Sequence, residues 1–229
     1  MEIGADEAPN RSVLFLNPYS YLILRNHPHL LAGASRVGID GQLLVRILSM
    51  FWAKRIDRIS FDMTSLARVV FERAALRRER VYIIGSTPAN LARAVEILRA
   101  RYPELVVCGS RDGYFADEVA RQQALDAIMN ADADVLVCGM GTPHQERFLY
   151  DLRALGWTGC GYTCGGFLHQ TAKKGTRYYP GWIDRLNLRW IYRIYDEPRL
   201  FKRYFFRYPV AVLFIVKDCL LAAMTRTSL

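Results

Sequence analysis

"VLVCGMGTPHQERF", residues 135–148, runs from an unbroken apolar stretch through two glycines and a proline into a Gln-Glu pair. A short apolar run closed by glycine reads as a buried strand that turns at its carboxyl end. The residues after Pro143 carry a helical pattern, so the stretch is a strand–turn–helix unit, the building block of a parallel α/β sheet. Glycine lets backbone N–H groups approach an anion, and the N-terminus of the next helix favours negative charge. The third glycine of a dinucleotide fingerprint is missing, and Gln145-Glu146 stands where a phosphate would not welcome an acid.

The same unit recurs on both sides. Strand patterns read at Val13–Leu16, Arg36–Ile39, Val81–Ile84, Leu105–Cys108, Val135–Cys138 and Gly159–Thr163. Helical patterns read at Tyr19–Leu31, Gln42–Lys54, Thr64–Arg77, Pro88–Arg101, Asp117–Asn130 and Pro143–Leu155. Pro88 after Thr87 and Pro143 after Thr142 suit helix starts with Thr as N-cap and Pro in the first helical position. The expectation is an α/β fold: a Rossmann-like, mostly parallel sheet of about six strands flanked by helices. That domain is expected over residues 1–178, with residues 1–10 disordered and a basic helical appendage over 179–229.

Charge marks the appendage. The 229-residue chain has a formal net charge of +9. Ten Lys/Arg and three Asp/Glu lie between Lys173 and Arg207, whereas residues 1–172 hold 19 basic and 18 acidic residues. A near-neutral body with one basic end points to an anionic partner met there. Arg185, Arg189 and Arg193 share one helix face, and Asp196-Glu197-Pro198 should end that helix. A second stripe, Arg199, Lys202, Arg203 and Arg207, is interleaved with Leu200, Phe201, Tyr204 and Phe205. The last apolar run, Val210–Val216, is interrupted by Lys217-Asp218 and falls short of the roughly twenty residues of a bilayer span. Interfacial helices over 182–224 on an anionic membrane surface are expected instead. No nucleic-acid motif accompanies the charge, so nucleic acid is not an expected partner.

Ligands of parallel sheets bind outside the carboxyl ends of the strands. Asn17, Asp40, Gly85 and the Gly139–Gly141 turn are expected at that edge. A carboxylate there suits a general base on a hydroxyl, although Asp40 equally suits an N-cap of the helix from Gln42. Glu146 suits a ligand hydroxyl or simply the helix dipole. Asp132 and Asp134 precede their strand and should lie at the opposite edge, and the five cysteines lack zinc spacing, so no metal and no cofactor are expected. His169 reads as structural. No apolar leader precedes the first strand pattern, which suits a cytoplasmic protein with reduced thiols.

Seven motifs in order resemble the WecG/TagA/CpsF glycosyltransferase family of bacterial surface-polysaccharide and teichoic-acid biosynthesis. They are "NP" (Asn17-Pro18), "DG" (Asp40-Gly41), "IIGSTP", "GYF" (Gly113–Phe115), "GMGTPHQE", "CGGF" (Cys164–Phe167) and the tryptophan-, tyrosine- and arginine-rich run from Pro180 to Tyr204. The resemblance implies an inverting, metal-independent transferase. It would move a hexose or N-acylhexosamine from a UDP-sugar to a sugar on undecaprenyl diphosphate, peripherally bound at the inner face of the cell membrane. It implies Asp40 as base, with Asn17, Gly85, Gly139, Gly141, Gln145, Glu146, Gly165 and Gly166 around the substrates. It also implies Arg193, Arg199 and Arg203 closing over the diphosphate. Phe15 stands where many members have Thr, "RISFD" (Arg58–Asp62) lacks a usual glycine, and Leu168-His169 replaces a usual Asp. These departures leave a plain hexose such as glucose or galactose open as donor. A homo-oligomer is also left open. Two other readings fit parts of the chain: a nucleotide-dependent oxidoreductase, and a non-catalytic basic adaptor at a membrane surface.

Overall fold

The computed structural model describes residues 10–53, 55–176, 178, 183, 189–198 and 200–226. Residues 1–9, expected to be disordered, and Arg185 and Arg199, expected on the arginine stripes, lie outside the described residues. All six expected strands form: β1 (Arg11–Leu16), β2 (Arg36–Ile39), β3 (Arg80–Gly85), β4 (Val106–Arg111), β5 (Val135–Gly139) and β6 (Cys160–Thr163). They make one sheet in the order β2-β1-β6-β5-β3-β4. The β1–β6, β6–β5, β5–β3 and β3–β4 pairings are parallel, and Tyr162 of β6 stands level with both Val13 and Val137. β5 is buried along its whole length, as its unbroken apolar run requires.

The flanking helices are α1 (Pro18–Leu24), α2 (Pro28–Ala32), α3 (Gln42–Trp52), α4 (Leu66–Arg77), α5 (Pro88–Arg101), α6 (Glu118–Asn130), α7 (His144–Ala154) and α8 (Phe167–Lys174). Three differ from the sequence expectation. The single helix read over Tyr19–Leu31 is two, because Pro28 disfavours the α conformation in the residue before it and restarts a helix itself. Thr87 caps α5 as expected, accepting from the Asn90 amide at 3.4 Å. Thr142 does not cap α7: its hydroxyl is turned to the Glu146 carboxylate at 3.1 Å, and the helix starts at His144. The unexpected helix is α8, whose short "FLHQTAKK" run buries Phe167, Leu168 and Thr171.

The described chain divides into two compact units. The first takes residues 1–15, 29–37 and 60–178. Its core gathers Ile84, Leu125, Ile128, Leu136, Phe148 and Leu152 between the sheet and α6 and α7. A second aromatic cluster centres on Phe61, within 6.1 Å of Phe71 and 5.3 Å of Phe167. Burying rings of this size contributes on the order of 2–3 kcal/mol each relative to exposure.

The second unit takes residues 16–28, 38–59 and 179–229. It holds α1, α3, a helix α9 (Arg189–Asp196) that stops before Pro198 as expected, a π-helical turn at Arg203–Arg207, and α10 (Tyr208–Arg226). The π-turn has a local cause. Pro209 has no N–H to give and its ring clashes with a carbonyl four residues back, so the preceding turn widens. Lys217-Asp218 does not break α10. Asp218 faces α1, where it accepts from the Tyr21 hydroxyl at 2.6 Å and pairs with Arg25 at 3.1 Å. Arg25 also lies 4.1 Å over the Phe214 ring. The Asp218 charge is thus met on the side of the helix that faces α1. Residues Leu200–Thr225 therefore form one 26-residue helical run, long and apolar enough to cross a bilayer by length and composition, which the seven-residue count did not foresee.

Candidate active site

In the first unit the expected glycine turns meet at the ends of β3 and β5. Gly85 has φ +136°, and a Cβ there would lie 2.3 Å from the Gly139 carbonyl oxygen, so only glycine fits. The Ser86 amide donates to Gly139 O at 3.1 Å, and the Gly113 amide donates to Ser86 O at 3.1 Å, which ties the "GYF" segment to the same edge. Gly141, Gly165 and Gly166 stand exposed beyond their strands, leaving bare backbone at the edge, and Gly166 opens α8.

Gln145 and Glu146 are inside, only 4% and 2% exposed. Gln145 Oε1 accepts from the Gly165 amide at 3.1 Å, and its Nε2 donates to Glu146 Oε1 at 2.8 Å. The pair therefore knits the β5 turn to the β6 turn. Glu146 Oε2 is buried and has no hydrogen-bond partner among the described residues. Burial pushes the Glu146 carboxyl above its ordinary value, against the opposing hydrogen bonds from Gln145, its own backbone and Thr142. A buried carboxylate with one uncommitted oxygen is costly unless a partner arrives.

Other candidates in this unit are structural. His169 Nδ1 lies 3.0 Å from Asn90 Nδ2 and joins α8 to α5. Asp134 accepts the Arg80 amide at 2.7 Å, at the amino end of β3, which is the edge opposite the glycine turns. Cys138 and Cys164 are buried, and burial raises both thiols far from thiolate character.

In the second unit Asp40 closes β2. Its amide donates to Leu16 O at 2.6 Å, so the strand ends of β1 and β2 stand side by side. Its carboxylate does not cap α3: the N-cap there is Gly41, without a side-chain bond. Oδ1 instead pairs with Arg58 Nη2 at 3.0 Å, and the Asp40 side chain stays 31% exposed. A fixed, reachable carboxylate at a strand's carboxyl end has the geometry of a general base.

Asn17, next along from Leu16, accepts from the Tyr19 and Ser20 amides and so caps α1. The same oxygen accepts from Arg203 Nη2 at 3.0 Å, and the Arg203 guanidinium lies 4.1 Å over the Tyr19 ring. Arg203 Nε is buried without a hydrogen-bond partner among the described residues, a donor available to an anion. Arg193 lies on α9, and Arg199 lies outside the described residues.

Two residues here were not singled out as site residues by the sequence reading. Arg58 was visible only as part of "RISFD", since an arginine eighteen residues from an aspartate gives no periodic signal. Tyr208 comes directly after the π-turn, with its ring 4.6 Å from that of Tyr204. Its one sequence signal is the proline after it.

The glycosyl transferase WecG/TagA/CpsF family model matches residues 2–224. Over 216 residues the chain is 32% identical to a Shigella boydii UDP-Gal:alpha-D-GlcNAc-diphosphoundecaprenol beta-1,4-galactosyltransferase, covering 94% of this chain and 90% of the relative. Over 129 residues it is 30% identical to a Bacillus subtilis (strain 168) N-acetylglucosaminyldiphosphoundecaprenol N-acetyl-beta-D-mannosaminyltransferase, covering 56% of this chain and 48% of the relative. These matches favour neither the oxidoreductase nor the adaptor reading. The chain belongs to the WecG/TagA/CpsF glycosyltransferase family.

Proposed function

We propose that this protein transfers a hexose or N-acylhexosamine from a UDP-sugar to a sugar carried on undecaprenyl diphosphate, with inversion and without a metal. Asp40, held by Arg58 and still reachable at the end of β2, is the observation that carries the reading. The acceptor hydroxyl gives its proton to Asp40 while its oxygen bonds to the donor's anomeric carbon. The bond from that carbon to the diphosphate breaks, and UDP leaves with the electron pair. Arg203, with an uncommitted buried Nε, stabilises the charge that develops on the diphosphate. Arg193 and Arg199 serve the same diphosphate. The turns at Gly85, Gly139, Gly141, Gly165 and Gly166 receive the nucleotide-sugar, and a ligand hydroxyl supplies the partner that Glu146 Oε2 lacks.

The test is turnover with a short-chain lipid-diphosphate N-acetylglucosamine acceptor and a panel of UDP-sugars led by UDP-galactose. Asp40→Asn should cost roughly 10²–10⁴ in kcat, the usual worth of a positioned base. Near-native turnover of that variant would remove Asp40 from the role. Activity that disappears in EDTA and returns with a divalent ion would sink the metal-independent mechanism.

Residues 1–178 form the α/β domain that carries the base and the glycine turns, and 179–229 is an appendage that supplies the arginines and rests on the cytoplasmic face of the membrane. Leu213, Leu221 and Met224 of α10 are 71%, 51% and 69% exposed, which water does not favour. Because Asp218, near the middle of α10, is held by Tyr21 and Arg25, the helix lies along the surface. Leu213→Glu with Leu221→Glu should move the protein from anionic liposomes into solution. Unchanged partitioning would show that the helix is not the anchor.

A further inference from the structure

The "NPYS" run, residues 17–20, writes a helix start by short-range chemistry. Asn17 Oδ1 caps α1 by accepting from the Tyr19 and Ser20 amides at 3.0 and 3.1 Å, and Ser20 Oγ accepts from the Asn17 amide at 2.9 Å. Pro18 fills the first helical position, where an N–H would have no partner. Capping alone, however, gives Tyr19 no task and leaves out a third bond. Asn17 Oδ1 also accepts from Arg203 Nη2 at 3.0 Å, and the Arg203 guanidinium lies 4.1 Å over the Tyr19 ring. Three N–H donors already exceed the two lone pairs of an amide oxygen, so that oxygen is filled by protein groups. The guanidinium is planar, and its surroundings divide it: Asn17 takes Nη2 and Tyr19 covers one face. Its Nε is buried with no hydrogen-bond partner among the described residues. A held arginine with an unspent buried donor is costly unless an anion meets it.

We infer that Asn17 and Tyr19 are positioning residues for Arg203: they seat its guanidinium so that Nε meets the diphosphate of the departing nucleotide. This rests on the reading of Arg203 as the group that stabilises that diphosphate. In this role neither residue touches substrate; Asn17 acts through its hydrogen bond and Tyr19 through its ring face. A free arginine gives up rotamer freedom when it grips a phosphate, and a seated one has given it up beforehand. A donor placed in advance acts at full strength as charge develops on the leaving oxygen. The Tyr19 hydroxyl is not needed, because the cation is held by the face of the ring.

The experiment uses the full chain with UDP-galactose and N-acetylglucosaminyl diphosphate on a short lipid, and measures kcat, the acceptor KM and product inhibition by UDP. Asn17→Ser keeps a capping oxygen for α1 but loses the reach to Arg203. Tyr19→Leu leaves the cap intact and removes the ring face. Each should lower kcat about tenfold and weaken inhibition by UDP by a similar factor, as loss of one charged hydrogen bond or cation–π contact does. The acceptor KM should not change. Tyr19→Phe, which keeps the ring, should hold kcat within about threefold of wild type. Placed on Arg203→Gln, Asn17→Ser and Tyr19→Leu should cost nothing further, a coupling that a merely structural cap or a direct substrate contact would not give. A kcat within about twofold of wild type for either single variant, or full additivity with Arg203→Gln, overturns the inference. If UDP-galactose is not the donor, the same comparison is run with whichever panel sugar turns over. If Arg203→Gln is as active as wild type, the reading of Arg203 fails; if Arg203→Gln is slow and both single variants are silent, only this inference fails.

Discussion

At the carboxyl end of β5 the polar side chains turn inward, Gln145 and Glu146 being 4% and 2% exposed. At the carboxyl end of β2 they turn outward: the Asp40 and Arg58 side chains keep 31% and 21% of their exposure. Both ends close parallel strands and both open a helix, yet one is stitched shut by side-chain-to-backbone bonds and the other is held open by an ion pair. The first arrangement gives a rigid turn with bare backbone at its tip, suited to a large anionic ligand. The second gives a charged group that can take up a proton. A transferase needs both, because binding a nucleotide calls for rigidity and proton transfer calls for access.

The contrast can be broken in order of expected effect. Asp40→Asn should reduce kcat by roughly 10²–10⁴ yet leave stability nearly unchanged, because a half-exposed ion pair is worth about 1 kcal/mol or less. Measuring kcat and urea unfolding on the same sample separates the two. Gly85→Ala should do the reverse first. Its Cβ would strike the Gly139 backbone, and loss of about 3 kcal/mol in chemical denaturation is expected. A Gly85→Ala protein as stable as wild type would mean that the β5 turn is looser than its geometry implies.

A smaller effect is expected at the helix α1–α10 contact. Asp218→Asn removes a charge that Tyr21 and Arg25 both address, at about one-third exposure. It should cost about 1 kcal/mol after allowance for solvent screening, read by thermal unfolding. No loss at all would mean that the contact contributes nothing to holding α10.

The smallest effect is a pH slope. Because burial raises the Glu146 carboxyl, the folded state favours its neutral form. Its contribution to stability is present below the unfolded value of 4.5 and is lost as pH rises through the raised folded value. Glu146→Gln abolishes that titration, so the variant should gain stability relative to wild type between mildly acidic and neutral pH. Parallel stability curves for the two proteins would show that Glu146 ionises in the fold without penalty.

Much of the fold was legible because its signals are local. Apolar runs of strand length, Thr87-Pro88 at a helix start and Pro198 after a helix end each act over a few residues. The break at Pro28 was legible in principle, but the apolar spacing on both sides of it reads as one helix. Helix α8 escaped because eight residues are too few for a periodic pattern to stand out. In α10 the charged pair Lys217-Asp218 looked like an interruption, since a sequence cannot say that Asp218 has partners on α1.

The candidate site divides the same way. By itself the sequence determined the strand–turn–helix order, the glycines at the turns and the presence of an aspartate at the end of β2, because turns and strand ends are set by short-range sterics. Tertiary structure alone decided that Asp40 pairs with Arg58 instead of capping α3, and that Asn17 is shared between α1 and Arg203. It alone turned Gln145 and Glu146 inward. Each of these is a choice among hydrogen-bond partners far apart in the chain, and such a choice is made only when burial removes water as the alternative.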